Sequence, residues 1–512
     1  MNTIYRSVSG IMIAVMVLLA GIAVSGILQP SSAAAKAKPA LSKKSVTMTV
    51  QTTKALKVKN AKQKVKWTTG DKKIVTFMSK KGKYSQSIIL KAGKKTGTCY
   101  VKAKIGKKTL KCKVTVKAKM EPRPDPPKPP DSIVEAAARF SVNFLQDSMS
   151  LDQNRNLLIS PDSIMTAMAM VENGAQGETL EQMEKAMSGQ AGTAEAFNEY
   201  LQYMNDRLAG SKSILFTSAN SIWVREGALQ IKDGFKDTNS KYHHAQLLER
   251  AFDQQTVSEM NTWVKDNTRG MIKDIIDQLD PMDRLVLINA IAFDGEWAEP
   301  FEKDYGQVQE DQDFTDADGN KQKVTMLTQN LSNGRCYLEA AGGTGFVKPY
   351  KGGEVAFACL LPPEGKSVDD FVLDLDGQKL QEAWYSRSDE YIVDIRLPKF
   401  TYDYDMSAGP VLQGLGIERA FTDQADFSGI AEPTVETPGL HIDEVIHKTH
   451  IEVSEDGTKA AAATAVTMKA NSAAPMEKET RKVYLDRPFV YALMDVETGT
   501  PLFLGVVRYA TK

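Results

Sequence analysis

Cysteine and histidine are scarce in this chain, four and five in 512 residues. So few cysteines do not staple a fold of this length, and stability is left to an apolar core. No Gly-x-Ser-x-Gly elbow, His-Glu-x-x-His helix or phosphate-cradling glycine loop occurs, so those signatures of hydrolysis and nucleotide binding are absent. His243, His244, His441, His447 and His450 lack partners at metal-ligand spacing on an expected helix, and His243-His244 reads as a surface segment. Carboxylates are so abundant that no pair of them singles out an acid and a base. The expectation is a protein that is not an enzyme and holds neither metal nor cofactor.

Arginine is missing from Ala35 to Met120 and acid nearly so, with 26 lysines against the single Asp71. After Met120 the balance reverses to 37 basic groups against 63 acidic ones, so a formal net charge of zero conceals oppositely charged ends. Lacking arginine and poor in aromatics, the basic stretch does not suit stacking or reading nucleic-acid bases. Its lysines alternate with apolar residues at Lys111, Lys113 and Lys117, which puts a cationic sheet face in solvent. One reading of that face is solubility; the other is attraction to an anionic cell-wall polymer or a membrane surface.

What is present divides the chain. Arg6, an apolar run from Ile11 to Leu28 and the small residues Ser31 to Ala35 read as an export signal over residues 1–35. The apolar run also approaches the length of an uncleaved membrane anchor. No cysteine lies near its end, which excludes a lipid-modified N-terminal cysteine. Residues 36–119 alternate apolar and polar positions in short runs, such as Ser87 to Leu90 and Leu110 to Val116, at the intervals of a β-sandwich. Cys99 and Cys112 flank the turn Ile105-Gly106-Lys107-Lys108 and are expected opposite each other on paired strands, within reach of a disulfide. Cys336 and Cys359 are expected as buried free thiols. Pro122, Pro124, Pro126, Pro127, Pro129 and Pro130 make residues 120–131 a stiff, extended linker. From 132 to 512, amphipathic helices come early and alternating strands late, the pattern of one large α+β domain.

Two resemblances sharpen this division. Val65-Lys66-Trp67 followed by Gly70-Asp71, then Ala92-Gly93-Lys94-Lys95-Thr96-Gly97, resembles bacterial immunoglobulin-like domains of surface proteins. Across residues 132–512, spaced segments resemble the serpin family in the family's order. They are Asn156 to Ile164 with Gly174 to Thr179, Asn261-Thr262-Trp263-Val264 with Thr268-Arg269-Gly270, and Asn289 to Phe293 with Gly295, Trp297 and Phe301. Leu397 to Phe400, Leu415-Gly416-Ile417, Ala425 to Gly429, Asp486 to Phe489 and Leu502 to Gly505 complete the set. The resemblance implies a large central β-sheet with two further sheets, about nine helices and an exposed reactive loop. It implies a secreted, monomeric suicide inhibitor that traps a serine or cysteine endopeptidase covalently. It also implies that Ser160, Ser163, Asn289 and His447 gather under the centre of the main sheet as a polar latch, with Trp297 at the sheet's top. The residues agree with this. Ser160-Pro161 marks a helix start, and Asn289 in the apolar run Val286 to Phe293 needs buried partners.

Glu455 to Val466 resembles the hinge of inhibitory serpins, with Glu455, Gly457, Thr458, Ala460, Ala461, Ala462 and Ala463 as its residues. A loop that later becomes a central strand must pass between two strands, and alanine and threonine present little obstruction. Strand alternation places Thr458, Ala460, Ala462, Thr464, Val466, Met468 and Ala470 on one face, and Lys459, Lys469 and Asn471 on the other. As a helix the same stretch would not bring Lys459 and Lys469 to one side. The family's usual spacing from Glu455 puts the reactive bond at Asn471-Ser472; a slip in register gives Ala470 or Lys469. Two other readings stay open, a non-inhibitory serpin and a cell-surface adhesin whose basic module does the binding.

Overall fold

The structure, a computed structural model, describes residues 38–50, 53–61, 63–78, 86–117, 128–432, 439–458 and 478–510. The chain divides into two compact units, Met1–Pro124 and Asp125–Lys512. The expected export signal, residues 120–127 of the expected linker, and the hinge and reactive-bond residues from Lys459 to Ser472 lie outside the described residues.

The first unit has strands β1 (Ala40–Leu41), β2 (Ser45–Thr49), β3 (Thr53–Lys59), β4 (Lys66–Thr69), β5 (Val75–Phe77), β6 (Ser87–Ala92), β7 (Gly97–Ile105) and β8 (Lys108–Lys117). They form two four-stranded sheets, in the orders β1-β3-β6-β5 and β2-β8-β7-β4. Because side chains alternate along a strand, Leu56, Val58, Ile88 and Leu90 of one sheet and Trp67, Val101, Ala103 and Val114 of the other turn into a shared core. The lysines between them face solvent. The expected disulfide is not formed. Strands β7 and β8 join through Gly106 and Lys107, pairing Ile105 with Lys108. That register sets Cys99 opposite Val114 and Cys112 opposite Val101, two residues out of step, and both thiols are buried and free.

The second unit opens with helices around a short strand: α1 (Asp131–Leu151), β9 (Leu157–Ile159), α2 (Pro161–Glu172), α3 (Gly177–Ser188) and α4 (Ala194–Ala209). Next come β10 (Ile214–Arg225), α5 (Asp233–His243), β11 (Gln246–Arg250), α6 (Gln254–Asn267) and the long strand β12 (Leu285–Glu296). Strands β13 (Val308–Thr315), β14 (Lys321–Leu331), β15 (Tyr337–Ala340), β16 (Gly343–Pro349) and β17 (Val355–Leu361) follow. After α7 (Val368–Leu373) and α8 (Gly377–Tyr385) lie β18 (Ile392–Pro398), β19 (Phe400–Ser407) and α9 (Gly409–Gly414). The chain closes with β20 (Ile446–Val453), β21 (Gly457–Thr458), β22 (Thr480–Tyr484), β23 (Phe489–Asp495) and β24 (Pro501–Val507). Among the described residues this makes nine α-helices and three sheets.

The central sheet runs β11-β10-β12-β21-β20-β19, and the others run β13-β14-β18-β22 and β15-β16-β17-β23-β24-β9. Both faces of the central sheet are covered, which is why β12 reads as a nearly unbroken apolar run. Ile291 and Phe293 join the main core, whereas Ile288 and Ala290 pack with Trp223 and with Met260 and Val264 of α6. Cys336 and Cys359 are buried free thiols, as expected.

Candidate functional site

Among the described residues the central sheet is sparsely paired in its middle. Strand β12 is laddered to β10 over its whole length, from Ile214 opposite Gly295 to Val224 opposite Leu285. On its other side the described residues pair with it at its end, Gly295 with Thr458 and Glu296 with Gly457. Thr458 is paired in turn with Val453 of β20. Both pairings are antiparallel, so β12 and β20 run parallel to each other with the two residues of β21 between them. Among the described residues no ladder joins β12 directly to β20. Where the two strands face each other lies a small cleft, lined by Ile291, Ala292 and Phe293 on one side, His450 and Ile451 on the other, and Thr458.

Several contacts seat the residues at the head of this cleft. Gly457 lies so close to β12 that a Cβ there would fall 2.1 Å from the carbonyl oxygen of Gly295, which only glycine avoids. Thr458 is buried and its hydroxyl is hydrogen-bonded to the Tyr350 hydroxyl. Tyr350 stacks on Trp297 with ring centroids 4.6 Å apart. The Trp297 indole N–H donates to the Ser454 carbonyl at 2.9 Å, and its backbone N–H to that of Asp456 at 2.9 Å. Glu455 accepts from the Phe301 amide through its carbonyl and pairs its carboxylate with Lys399 at 2.6 Å and Lys303 at 3.3 Å. Partial burial alone would raise the Glu455 pKa; hydrogen bonding and charge attraction from Lys399, aided by Lys303, outweigh it and hold the carboxyl at about 2.

Below the sheet a second polar group crosses several elements. Ser160 caps α2, its hydroxyl accepting from the Ser163 N–H at 3.3 Å and donating to the Leu502 carbonyl at 2.8 Å. The Ser160 N–H donates to His447 Nε2 at 3.0 Å, tying β20 to the start of α2. Burial lowers the His447 pKa to about 4, which keeps the ring neutral and its Nε2 an acceptor. Ser163 Oγ donates to Asn289 Oδ1, and Asn289 Nδ2 donates to Asn220 Oδ1 at 2.6 Å. From there the network runs on through side chains that carry no motif. Asn220 donates to the His243 carbonyl, His243 Nε2 is 2.6 Å from Asn198 Oδ1, and Asn198 donates to Asn173, which bonds Asn239. His243 therefore does not lie on the surface as its sequence context suggests. It is 2% exposed, with its pKa lowered to about 3 by burial and, secondarily, by the charge of His244, which is exposed beside Asp206.

Comparison with known proteins decides the family. The family described as "Serpin (serine protease inhibitor)" matches residues 135–509. The chain belongs to the serpin family. An uncharacterized serpin-like protein of Thermococcus kodakarensis is 32% identical over 379 residues, 73% of this chain and 84% of that protein. Serpin B6 of Pongo abelii is 31% identical over 73% of this chain and 98% of its own length. The crystal structure of a thermophilic serpin, tengpin, in the native state superposes with a TM-score of 0.68 at 38% identity, covering 75% of this chain and 95% of that one. Protease inhibition is the general activity of this family.

In this serpin the residues singled out from the sequence fall in two places. Ser160, Ser163, Asn289 and His447 are joined below the sheet, while Trp297, Glu455, Gly457 and Thr458 meet at the head of the cleft. Tyr350 and Lys348 escaped sequence reading. Lys348 lies under the same aromatic cluster, its Nζ 4.3 Å from the Phe301 ring centroid and donating to the Glu299 carbonyl at 2.7 Å. A lysine in the middle of a strand gives no sign that it will be buried; only the apolar residues either side of it, Phe346-Val347 and Pro349-Tyr350, hint at it.

Proposed function

We propose that this serpin is a suicide inhibitor of serine or cysteine endopeptidases. The nucleophile of the protease adds to the carbonyl of Asn471, the amine of Ser472 leaves, and the enzyme remains attached as an ester or thioester. The freed segment beginning at Thr458 then adds as a strand between β12 and β20 and carries the enzyme with it. The observation that supports this reading is the cleft between two parallel strands, already headed by the buried Thr458. On strand alternation the hinge face that would be buried carries only the small or apolar Thr458, Ala460, Ala462, Thr464 and Val466, with Lys459 on the opposite face, which favours inhibition over a non-inhibitory role. Alongside it we read the protein as a secreted monomer, with an immunoglobulin-like basic module holding it at an anionic surface.

Incubation with a panel of proteases tests the proposal. The expected result is a covalent complex that survives SDS, together with a released C-terminal peptide whose mass begins at Ser472. A peptide beginning one or two residues earlier moves the bond to Ala470 or Lys469 and keeps the mechanism. Plain degradation by every enzyme in the panel overturns it.

A further inference from the structure

The outer face of the sheet β2-β8-β7-β4 carries a continuous staircase of lysines. Lys66 of β4 stands opposite Lys104 of β7, and Lys102 of β7 opposite Lys111 of β8. Lys102 and Lys104 are two residues apart on one strand, as are Lys111 and Lys113 on the next. The path Lys66, Lys104, Lys102, Lys111, Lys113 therefore steps alternately across strands, about 4.8 Å, and along them, about 6.8 Å. All five are exposed. Among the described residues no carboxylate stands within ion-pair distance of any of them, and the only acid in the basic stretch, Asp71, holds the Lys73 amide at 2.7 Å.

Like charges directly opposite each other on paired strands are destabilising, and this sheet has two such pairs. Solubility alone does not call for that arrangement, since lysines scattered over both sheets supply it. The residues beside the staircase are polar: Ser45, Thr68, Thr98 and Thr109, with Tyr100, 49% exposed, as the one aromatic. A face that enters a lipid surface needs a row of large apolar side chains, and one that takes up single-stranded nucleic acid needs several stacking rings. This face has neither. Lysine is a point charge without the planar fork that selects carboxylates in pairs, so the staircase suits singly charged groups spaced along a flexible chain.

We propose that this face is the docking surface for a linear polyol-phosphate polymer of the cell-wall type, one phosphodiester per repeat, lying along the five lysines. The assignment rests on the surface-retention reading of the basic module and names its contact face and its partner.

Binding of the full protein to purified poly(glycerol phosphate) tests it, with an oligothymidylate of equal phosphate number and phosphatidylserine vesicles as separate arms. At about 0.7 per phosphate contact, log K is expected to fall against log salt with a slope of about −3.5. Lys102→Gln with Lys111→Gln should weaken binding about tenfold or more and flatten that slope by about 1.4, while the melting midpoint of the basic module holds or rises. Lys66→Gln with Lys104→Gln is the second pair, needed if the first unfolds. Lys57→Gln with Lys91→Gln, on the outer face of the other sheet, should leave affinity and slope within about twofold. An equal loss from that control pair overturns the staircase but leaves surface retention standing. Failure of the polymer to bind at all overturns both. Tighter binding of the oligonucleotide or the vesicles overturns the choice of partner.

Discussion

Thr458 sits at the head of the cleft between β12 and β20. It is 3% exposed, paired with Gly295 and Val453, and bonded to Tyr350. Thr458→Arg would force a guanidinium into that seat, at a cost of several kcal/mol for an unpaired buried charge. Insertion should then stall at its first residue, and the attacked loop should be released by hydrolysis. The expected outcome is loss of the SDS-resistant complex with cleavage of the loop preserved, read as moles of inhibitor consumed per mole of protease blocked; full trapping by the variant would end the insertion mechanism. The residues of the site differ in how readable they are. Thr458 and Gly457 stand in a run whose small side chains set it apart in the sequence, and Asn289 interrupts an apolar strand. Asn198 and Asn239 sit on helices and Asn173 just past the end of α2, places where asparagine is ordinary, and the burial of Asn198 and Asn239 follows only from partners far away in the chain, such as His243 for Asn198.

At the level of elements, the His447–Ser160 bond is the joint between β20 and α2, and its strength depends on pH. The ring is held neutral because its pKa is about 4 in the fold, against 6.5 for a free histidine. The unfolded chain therefore binds the proton first as pH falls, so this contribution is complete above about pH 6.5 and is lost on the way down to pH 4. A depression of that size corresponds to about 3 kcal/mol. Asp162, pushed up to about 7 chiefly by burial, acts in the opposite sense, its fold gaining stability as pH falls below 7. The difference between the protein and His447→Gln isolates the joint, because glutamine keeps an acceptor for the Ser160 amide and does not titrate. Urea unfolding at pH 7 and pH 4.5 should show the gap between the two shifting in favour of the variant at the lower pH. A gap independent of pH means that this ring is not what titrates. Strands themselves were legible from alternation, but their partners were not. Cys99 and Cys112 flank a turn almost symmetrically, and a two-residue turn still leaves them two positions out of register. Strand β21 is two residues long, and nothing local says that it separates β12 from β20.

For the molecule as a whole, the described part of the central sheet joins β12 to β20 only through the two residues of β21. The family and its mixed architecture were readable because many short segments occur in one order over the whole region, each constrained by packing; the sheet order was not, since β12 meets β21 only after three intervening α-helices and strands of two other sheets. Residues 458–471 extended at about 3.3 Å each make a strand roughly 46 Å long. Flanked on both sides, it would gain backbone hydrogen bonds to β12 and β20 at about 0.5–1.5 kcal/mol each, on the order of 10 kcal/mol in total. That rivals the entire stability of an ordinary domain, so the proposed insertion requires the uncut protein to be the less stable of two folds open to the same residues. On the proposed mechanism, limited cleavage within 459–477 frees the segment to insert. At roughly 2 °C per kcal/mol for a large domain, the melting midpoint of the cut protein is expected to rise by about 20 °C. Calorimetry of cut and uncut protein side by side reads this directly. Most cleaved loops lower or leave unchanged the stability of the fold that bears them, so a midpoint that fails to rise would mean that the cleft between β12 and β20 does not accept a strand.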